Sequence, residues 1–205
     1  MFFHKNNKIK SKKSGFTLIE LMIVLVIFVA LTGIMIGSQS KLDGSILLDN
    51  LAYDIALSVR EAQTYGVNVK EFFTSPTTSV FTGYGVRFSR SDNKQYILFA
   101  DVNPNYFFDG ETTCFKDDSE CMRKYTLTRG SFIADLCAGS DELNCDPQDE
   151  INITFLRPNP DAHITKGIAG NTVPNQSFSK ITISSADGQT QNIIVTALGD
   201  IYVKK

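Results

Sequence analysis

The sequence predicts an α+β fold: one long N-terminal α-helix, apolar in its first half and amphipathic in its second, packed on an antiparallel β-sheet. Three observations carry that expectation. An uninterrupted apolar block covers residues 16–37, apolar residues then recur at three- and four-residue intervals as far as 66, and strand-like runs bounded by turn residues follow. At 205 residues the chain fits one ordinary domain plus an appended segment. It shows too few helical patterns for a parallel sheet, which needs helical crossovers.

The first fifteen residues contain Lys5, Lys8, Lys10, Lys12 and Lys13 and no acid, and Glu20 is the only charge in the apolar block. That block is about as long as the ~20 residues a helix needs to cross a hydrocarbon core of roughly 30 Å. Lysines before it hold the N-terminus in the cytoplasm and send residues 38 onward across the membrane. A secretory signal would have a shorter apolar core followed by a small-x-small cleavage site. Here the small pair, Ser14-Gly15, comes before the apolar run, and Glu20 intrudes near its start. A carboxylate in a membrane helix costs about 2.5–3.5 kcal/mol at the centre and less near an end, so Glu20 calls for a partner.

Gly33, Gly37 and Gly44 interrupt the helix-forming pattern, and each weakens a helix by about 1 kcal/mol relative to Ala. Around Gly37 a softened stretch and close packing of helices on small residues are equally good readings. Leu48, Leu51, Ile55, Val59 and Ala62 then make one apolar stripe, which should dock on a sheet and end near Tyr65-Gly66, glycine being a normal helix stop. Strands are expected over 80–89, 95–102, 124–136, 151–156, 180–185, 192–195 and 200–203, with a hairpin turn at Asp187-Gly188.

Residues 38–205 hold 15 of the 20 basic residues and 21 of the 22 acidic ones, a balance of −6. A mildly acidic domain argues against nucleic acid as the main partner, because phosphate neutralisation needs a basic face. Cys114, Cys121, Cys137 and Cys145 lack the short CxxC spacing of zinc sites, and a compartment outside the cytoplasm permits disulfides. Of three possible pairings, short loops favour Cys114 with Cys121 and Cys137 with Cys145.

Asp101, Asn103, Asn105, Asp109 and Glu111 place oxygen ligands at the alternating positions a Ca²⁺ loop uses. Tyr106 stands where an EF-hand needs Gly and Thr112 where it needs Glu, so Asx turns in a polar connection compete with calcium. Catalysis finds little support. His163 stands alone and reads as a surface or loop residue, the pairs Asp117-Asp118 and Asp141-Glu142 read as solvated loop charges, and no HExxH, phosphate loop or GxSxG elbow occurs. Phe72-Phe73 and Tyr106-Phe107-Phe108 read as core or subunit-interface anchors.

Lys13-Ser14-Gly15-Phe16-Thr17-Leu18-Ile19-Glu20-Leu21 resembles the type IV prepilin signature. In that family a prepilin peptidase cuts between Gly and Phe at the cytoplasmic membrane face and methylates the new N-terminus. The resemblance implies a leader over 1–15, a transmembrane helix over 16–37, an amphipathic helix over 38–66 and an extracytoplasmic β-rich domain over 67–205. It implies a single-pass inner-membrane protein that later enters a filament. Its partners are the peptidase and other pilin or pseudopilin subunits, with neither a small-molecule substrate nor a cofactor. Glu20 would neutralise the Phe16 amine of a neighbouring subunit and set axial register, and similar pilins often lose helicity near Gly37 on assembly.

Leu51-Ala52-Tyr53-Asp54-Ile55, Arg60-Glu61-Ala62 and the closing run with Gly199 before an apolar strand resemble the GspH/FimT-like branch of minor pilins and pseudopilins. Many of those relatives have a basic residue after that glycine, and this chain has Asp200. Two rival functions are a DNA-capturing minor pilin, which needs a basic surface, and a signal-anchored extracytoplasmic binding protein, which would keep residues 1–15.

Overall fold

The computed structural model describes residues 15–68, 70–75, 78–110, 113–114, 119–168 and 171–205; within these, only the backbone of 36–43, 74–75, 78–79, 81 and 168 is described. The chain divides into two units, Met1–Leu42 and Asp43–Lys205. The division falls five residues beyond the expected end of the apolar segment. One helix, α1 at Leu18–Val67, runs through it and stays helical across Gly33, Gly37 and Gly44.

The second unit is β-rich. Strands β8 (Glu150–Phe155), β3 (Gly83–Ser89) and β4 (Gln95–Asp101) form the centre of a six-stranded antiparallel sheet ordered β10-β9-β8-β3-β4-β5. Its flanks are β9 (Ala162–Ile168), β10 (Asn171–Gln176) and β5 (Cys121–Thr126). A five-stranded antiparallel sheet is ordered β13-β12-β11-β6-β7, from β13 (Ile201–Lys204), β12 (Thr190–Thr196), β11 (Phe178–Ser184), β6 (Phe132–Gly139) and β7 (Cys145–Pro147). Strands β1 (Glu71–Ser75) and β2 (Thr78–Phe81) pair as a separate hairpin.

One core joins α1 to both large sheets. Leu48, Ala52, Ile55, Ala56, Val59 and Ala62 form the buried helix face, and Val86, Leu98 and Ile153 from one sheet meet it with Ile181, Ile193 and Leu136 from the other. Alternation explains the sheets, since every second side chain points to this core. Strand β4 is buried on both faces. Tyr96, Leu98 and Ala100 face α1, while Ile97 and Phe99 face a second small core with Phe108 and Cys121, so its sequence reads as a continuous apolar run.

Three expectations are corrected. The run 124–136 is two strands in different sheets, because Arg129 and Gly130 both take positive φ and Ser131 N–H bonds back to the Thr128 carbonyl. Strands β9 and β10 escaped the pattern search: Gly167 sits at φ 116° and Pro174 interrupts the outer strand. Gly66 is not the helix stop. It lies inside α1, where a Cβ would come 2.8 Å from the Phe155 carbonyl carbon, so its missing side chain lets the helix approach β8.

The exposed sheet edges are blunted, which bears on how copies can associate. Arg60 and Gln63 of α1 donate to the main-chain oxygens of Ile201 (2.8 Å) and Gly199 (3.1 Å) at the β13 side. Strand β5 carries Arg123 and Lys124, β10 carries Pro174, and β7 has three residues.

Candidate assembly site

Gly15, Phe16 and Thr17 precede the first helical residue, Leu18. Thr17 is the helix N-cap: its carbonyl accepts from Leu21 N–H at 3.2 Å and its Oγ1 accepts from Glu20 N–H at 3.3 Å. The T-x-x-E spacing is that of a capping box, a signal the reading of Glu20 alone overlooks. The Gly15–Phe16 peptide therefore lies in non-helical backbone. Phe16 is 82% exposed, and a Cβ built on Gly15 would meet nothing within 4 Å. A peptidase that needs an extended strand could reach this bond without unwinding α1.

Glu20 is exposed in the first helical turn, where the positive end of the helix dipole favours a carboxylate. Cutting before Phe16 would create an amine four residues away. The segment Leu18–Met35, which includes Glu20, has a mean hydropathy of 2.8 and none of it is buried. By length and composition this segment can cross a membrane.

Residues 10–36 match the family model for a prokaryotic N-terminal methylation motif. The chain is type IV prepilin-like. No curated protein and no solved structure matches it. The motif supports a pilin-like or pseudopilin subunit, a structural protein, and implies processing by a prepilin peptidase and assembly with other pilins in a membrane. The motif and the apolar N-terminal helix together support a membrane-anchored N-terminus with an extracytoplasmic domain.

In the β-rich unit Cys114 bonds to Cys121 and Cys137 to Cys145, with Cα separations of 4.5 and 5.4 Å. The first bond borders the small second core and the second closes the loop between β6 and β7. Within that loop Asp141 accepts from Leu143 and Asn144 N–H, both at 2.9 Å, and Glu142 pairs with Lys204 at 2.7 Å. Phe72 packs on the main core, Phe107 and Phe108 are buried, and Phe73 is exposed. Asp117 and Asp118 lie outside the described residues.

The calcium candidates are brought together, but they bond chiefly to their own loop. The Asp101 carboxylate accepts from Asn105 N–H (3.2 Å) and Tyr106 N–H (3.0 Å). Asp109 Oδ2 accepts from the side-chain amides of Asn103 (2.8 Å) and Asn105, and Asn105 Oδ1 accepts from Phe107 N–H at 2.9 Å. The last of these is an Asx-turn bond. Glu111 lies outside the described residues. Among the described residues no group of three His, Cys, Asp or Glu side chains is placed to hold a metal.

Glu120 is the member sequence reasoning missed. One carboxylate oxygen accepts from Val102 N–H at 3.0 Å and the other from Asp109 N–H at 2.7 Å. Burial pushes its pKa up to about 7, with repulsion from Asp101 and Asp109 adding and the two amides opposing. His163 is not in a loop: it lies in β9, partly buried, with Tyr106 stacked on its ring at 4.3 Å.

Proposed function

We propose that this chain is a minor subunit of a type IV pilus or type II secretion pseudopilus, cut after Gly15 and held in the filament through α1. The observation that carries this reading is the unburied apolar segment Leu18–Met35, which lies within the matched methylation motif and has one carboxylate in its first turn. Lipid tails are as apolar as these side chains, so helices associate there by close packing and by pairing of polar groups. Glu20 supplies the polar group. The Phe16 amine of a neighbouring subunit is its complement, and each would be left as a lone buried charge without the other.

The β-rich domain fits a supporting role in such an assembly. Its blunted edges disfavour strand-to-strand addition and leave helix packing as the route. A groove of about 530 Å³ between α1 and β13, lined by Tyr53, Leu57 and Tyr202, gives this domain an apolar surface for neighbouring domains. The minor assignment rests on the resemblance of Leu51–Ile55 and the closing hairpin to GspH/FimT-like subunits. Asp200 after Gly199 supplies no basic patch there, so structural membership is preferred to DNA capture.

Mass spectrometry of filaments sheared from cells is the test. The expected result is a chain beginning with N-methylated Phe16, present at far lower copy number than the main subunit. A chain that retains residues 1–15 would overturn the reading, and abundance equal to the main subunit would remove the minor assignment.

A further inference from the structure

Between α1 and the turn that joins β5 to β6 lies a cleft of about 340 Å³. Two helix acids stand on its rim. Asp54 and Glu61 are seven residues apart, which puts them on one face of α1, roughly 10 Å from each other along its axis. The side walls are apolar, from Leu51 on the helix and Leu127 on the turn. The floor is the pair Ser58 and Tyr96, 5% and 4% exposed, beside Tyr125, whose ring stacks on Tyr96 at 4.8 Å.

Each hydroxyl hydrogen on that floor is already committed. Ser58 has one, and it goes to the Asp54 carbonyl at 3.0 Å. The 2.9 Å contact between Ser58 Oγ and the Tyr96 hydroxyl must then be donated by Tyr96. Tyr125 spends its hydrogen on one Glu61 oxygen at 3.0 Å, and Tyr65 donates to the other at 2.6 Å. What the floor and the helix rim leave for the open space is lone pairs: those of the Tyr96 oxygen, those remaining on Glu61, and the Asp54 carboxylate, which has no ion pair among the described residues. Charge points the same way. Arg123, at 3.6 Å from Glu61, offsets one of the two acids, and Arg60 is turned to the Ile201 carbonyl, so Asp54 stays uncompensated. Acceptors without donors, at a net negative charge, select a ligand that only donates.

We infer that this cleft receives an arginine side chain of a neighbouring subunit. A guanidinium has five N–H donors and no acceptor, its fork matches the Asp54 carboxylate, and its aliphatic stem can lie along Leu51 and Leu127. Lysine gathers three donors at a single point, too compact to serve acceptors spread over two helix turns. The partner's identity rests on the filament reading, whereas the chemistry of the cleft does not. Such a contact would tie the β-rich unit itself to a neighbour, apart from the pairing at Glu20.

Adding N-acetyl-arginine methylamide to the full chain in uncharged detergent micelles, followed by amide NMR, tests the cleft. Saturable shifts are expected at Ser58, Tyr96, Tyr125 and Leu127. The citrulline counterpart has nearly the same shape without the charge and should bind about tenfold more weakly, as should the arginine probe to Asp54→Asn. Asp54 is exposed and its carboxylate holds no other described side chain, so the substitution leaves the fold intact. No saturable shift, equal affinity for the two probes, or arginine binding untouched by Asp54→Asn would each sink the inference. So would shifts centred on Tyr202 and Val203, which line the groove on the other side of Asp54. Failure here leaves the filament reading standing, because that reading depends on the mature N-terminus and on copy number. A chain absent from filaments would leave these shifts unchanged and remove only the neighbour.

Discussion

Arg60 on α1 donates to the main-chain oxygen of Ile201 at 2.8 Å, so a side chain from the helix occupies an acceptor on the terminal strand of the five-stranded sheet. A charged donor makes this a strong bond, and it also denies the edge to another strand. Arg60→Ala should lower stability by about 1–2 kcal/mol, read as a lower Tm by circular dichroism. Light scattering should rise during the same melt, because the uncovered strand can pair with another copy. Unchanged Tm and scattering would show that the bond is idle.

Gly66→Ala separates two explanations of one glycine. If Gly66 only limited helix propensity, alanine would stabilise α1 by about 1 kcal/mol. The Phe155 carbonyl in the path of a new Cβ reverses the sign, because helix and strand must move apart. We expect a loss of about 1–3 kcal/mol, the usual range for overpacking. Urea unfolding gives the sign directly.

Both disulfides close short loops, with sequence separations of 7 and 8. Chain entropy then assigns each about 2–3 kcal/mol. Replacing Cys137 and Cys145 together by Ser should lower Tm and loosen the β6–β7 loop, which the Asp141 bonds and the Glu142–Lys204 pair then shape. Loss of Cys114–Cys121 should instead loosen the small core of Ile97, Phe99 and Phe108. Proteolysis mapped by mass spectrometry should cut near 114 in the second variant and near 141 in the first.

What the sequence made legible follows from range. The Gly15-Phe16 pair, Glu20 and the apolar run follow one another closely, the pair just before α1 and the rest in its first half, so spacing alone defines them. The stripe from Leu48 to Ala62 was readable for the same reason, because every member faces one core. Pairings across many residues were not. Nothing local says that β5 and β6 join different sheets, nor that Glu120 turns its oxygens onto Val102 and Asp109. Asp101 and Asp109 looked like cation ligands because composition reports oxygens but not which donors they face.

Those donors bear on the calcium expectation as well. Asp101 is held by two backbone amides and Asp109 by two side-chain amides, so a cation would have to displace bonds already made. We expect no rise in Tm up to about 1 mM Ca²⁺, the weak end of extracellular calcium modules. Calorimetry on the full chain in micelles checks this, and saturable heat in that range would show that the loop reorganises around the ion.

Glu20 is the most informative position to change, because its two roles separate cleanly. The residue's own N–H, which bonds Thr17 Oγ1, is backbone and survives any substitution, so Glu20→Ala should leave the N-cap in place. The Gly15–Phe16 bond lies outside the helix, so cleavage should proceed and the mature mass should appear. Assembly should fail, because a Phe16 amine entering an apolar bundle would then lack a carboxylate, and leaving one buried charge unpaired costs about 3–5 kcal/mol. That is a drop of more than a hundredfold in incorporation, measured as the ratio of filament to membrane protein. Glu20→Asp keeps the charge on a shorter arm and should recover part of it, whereas Glu20→Gln keeps the shape without the charge and should behave like alanine. Full incorporation of the glutamine variant would mean that helix packing alone sets register.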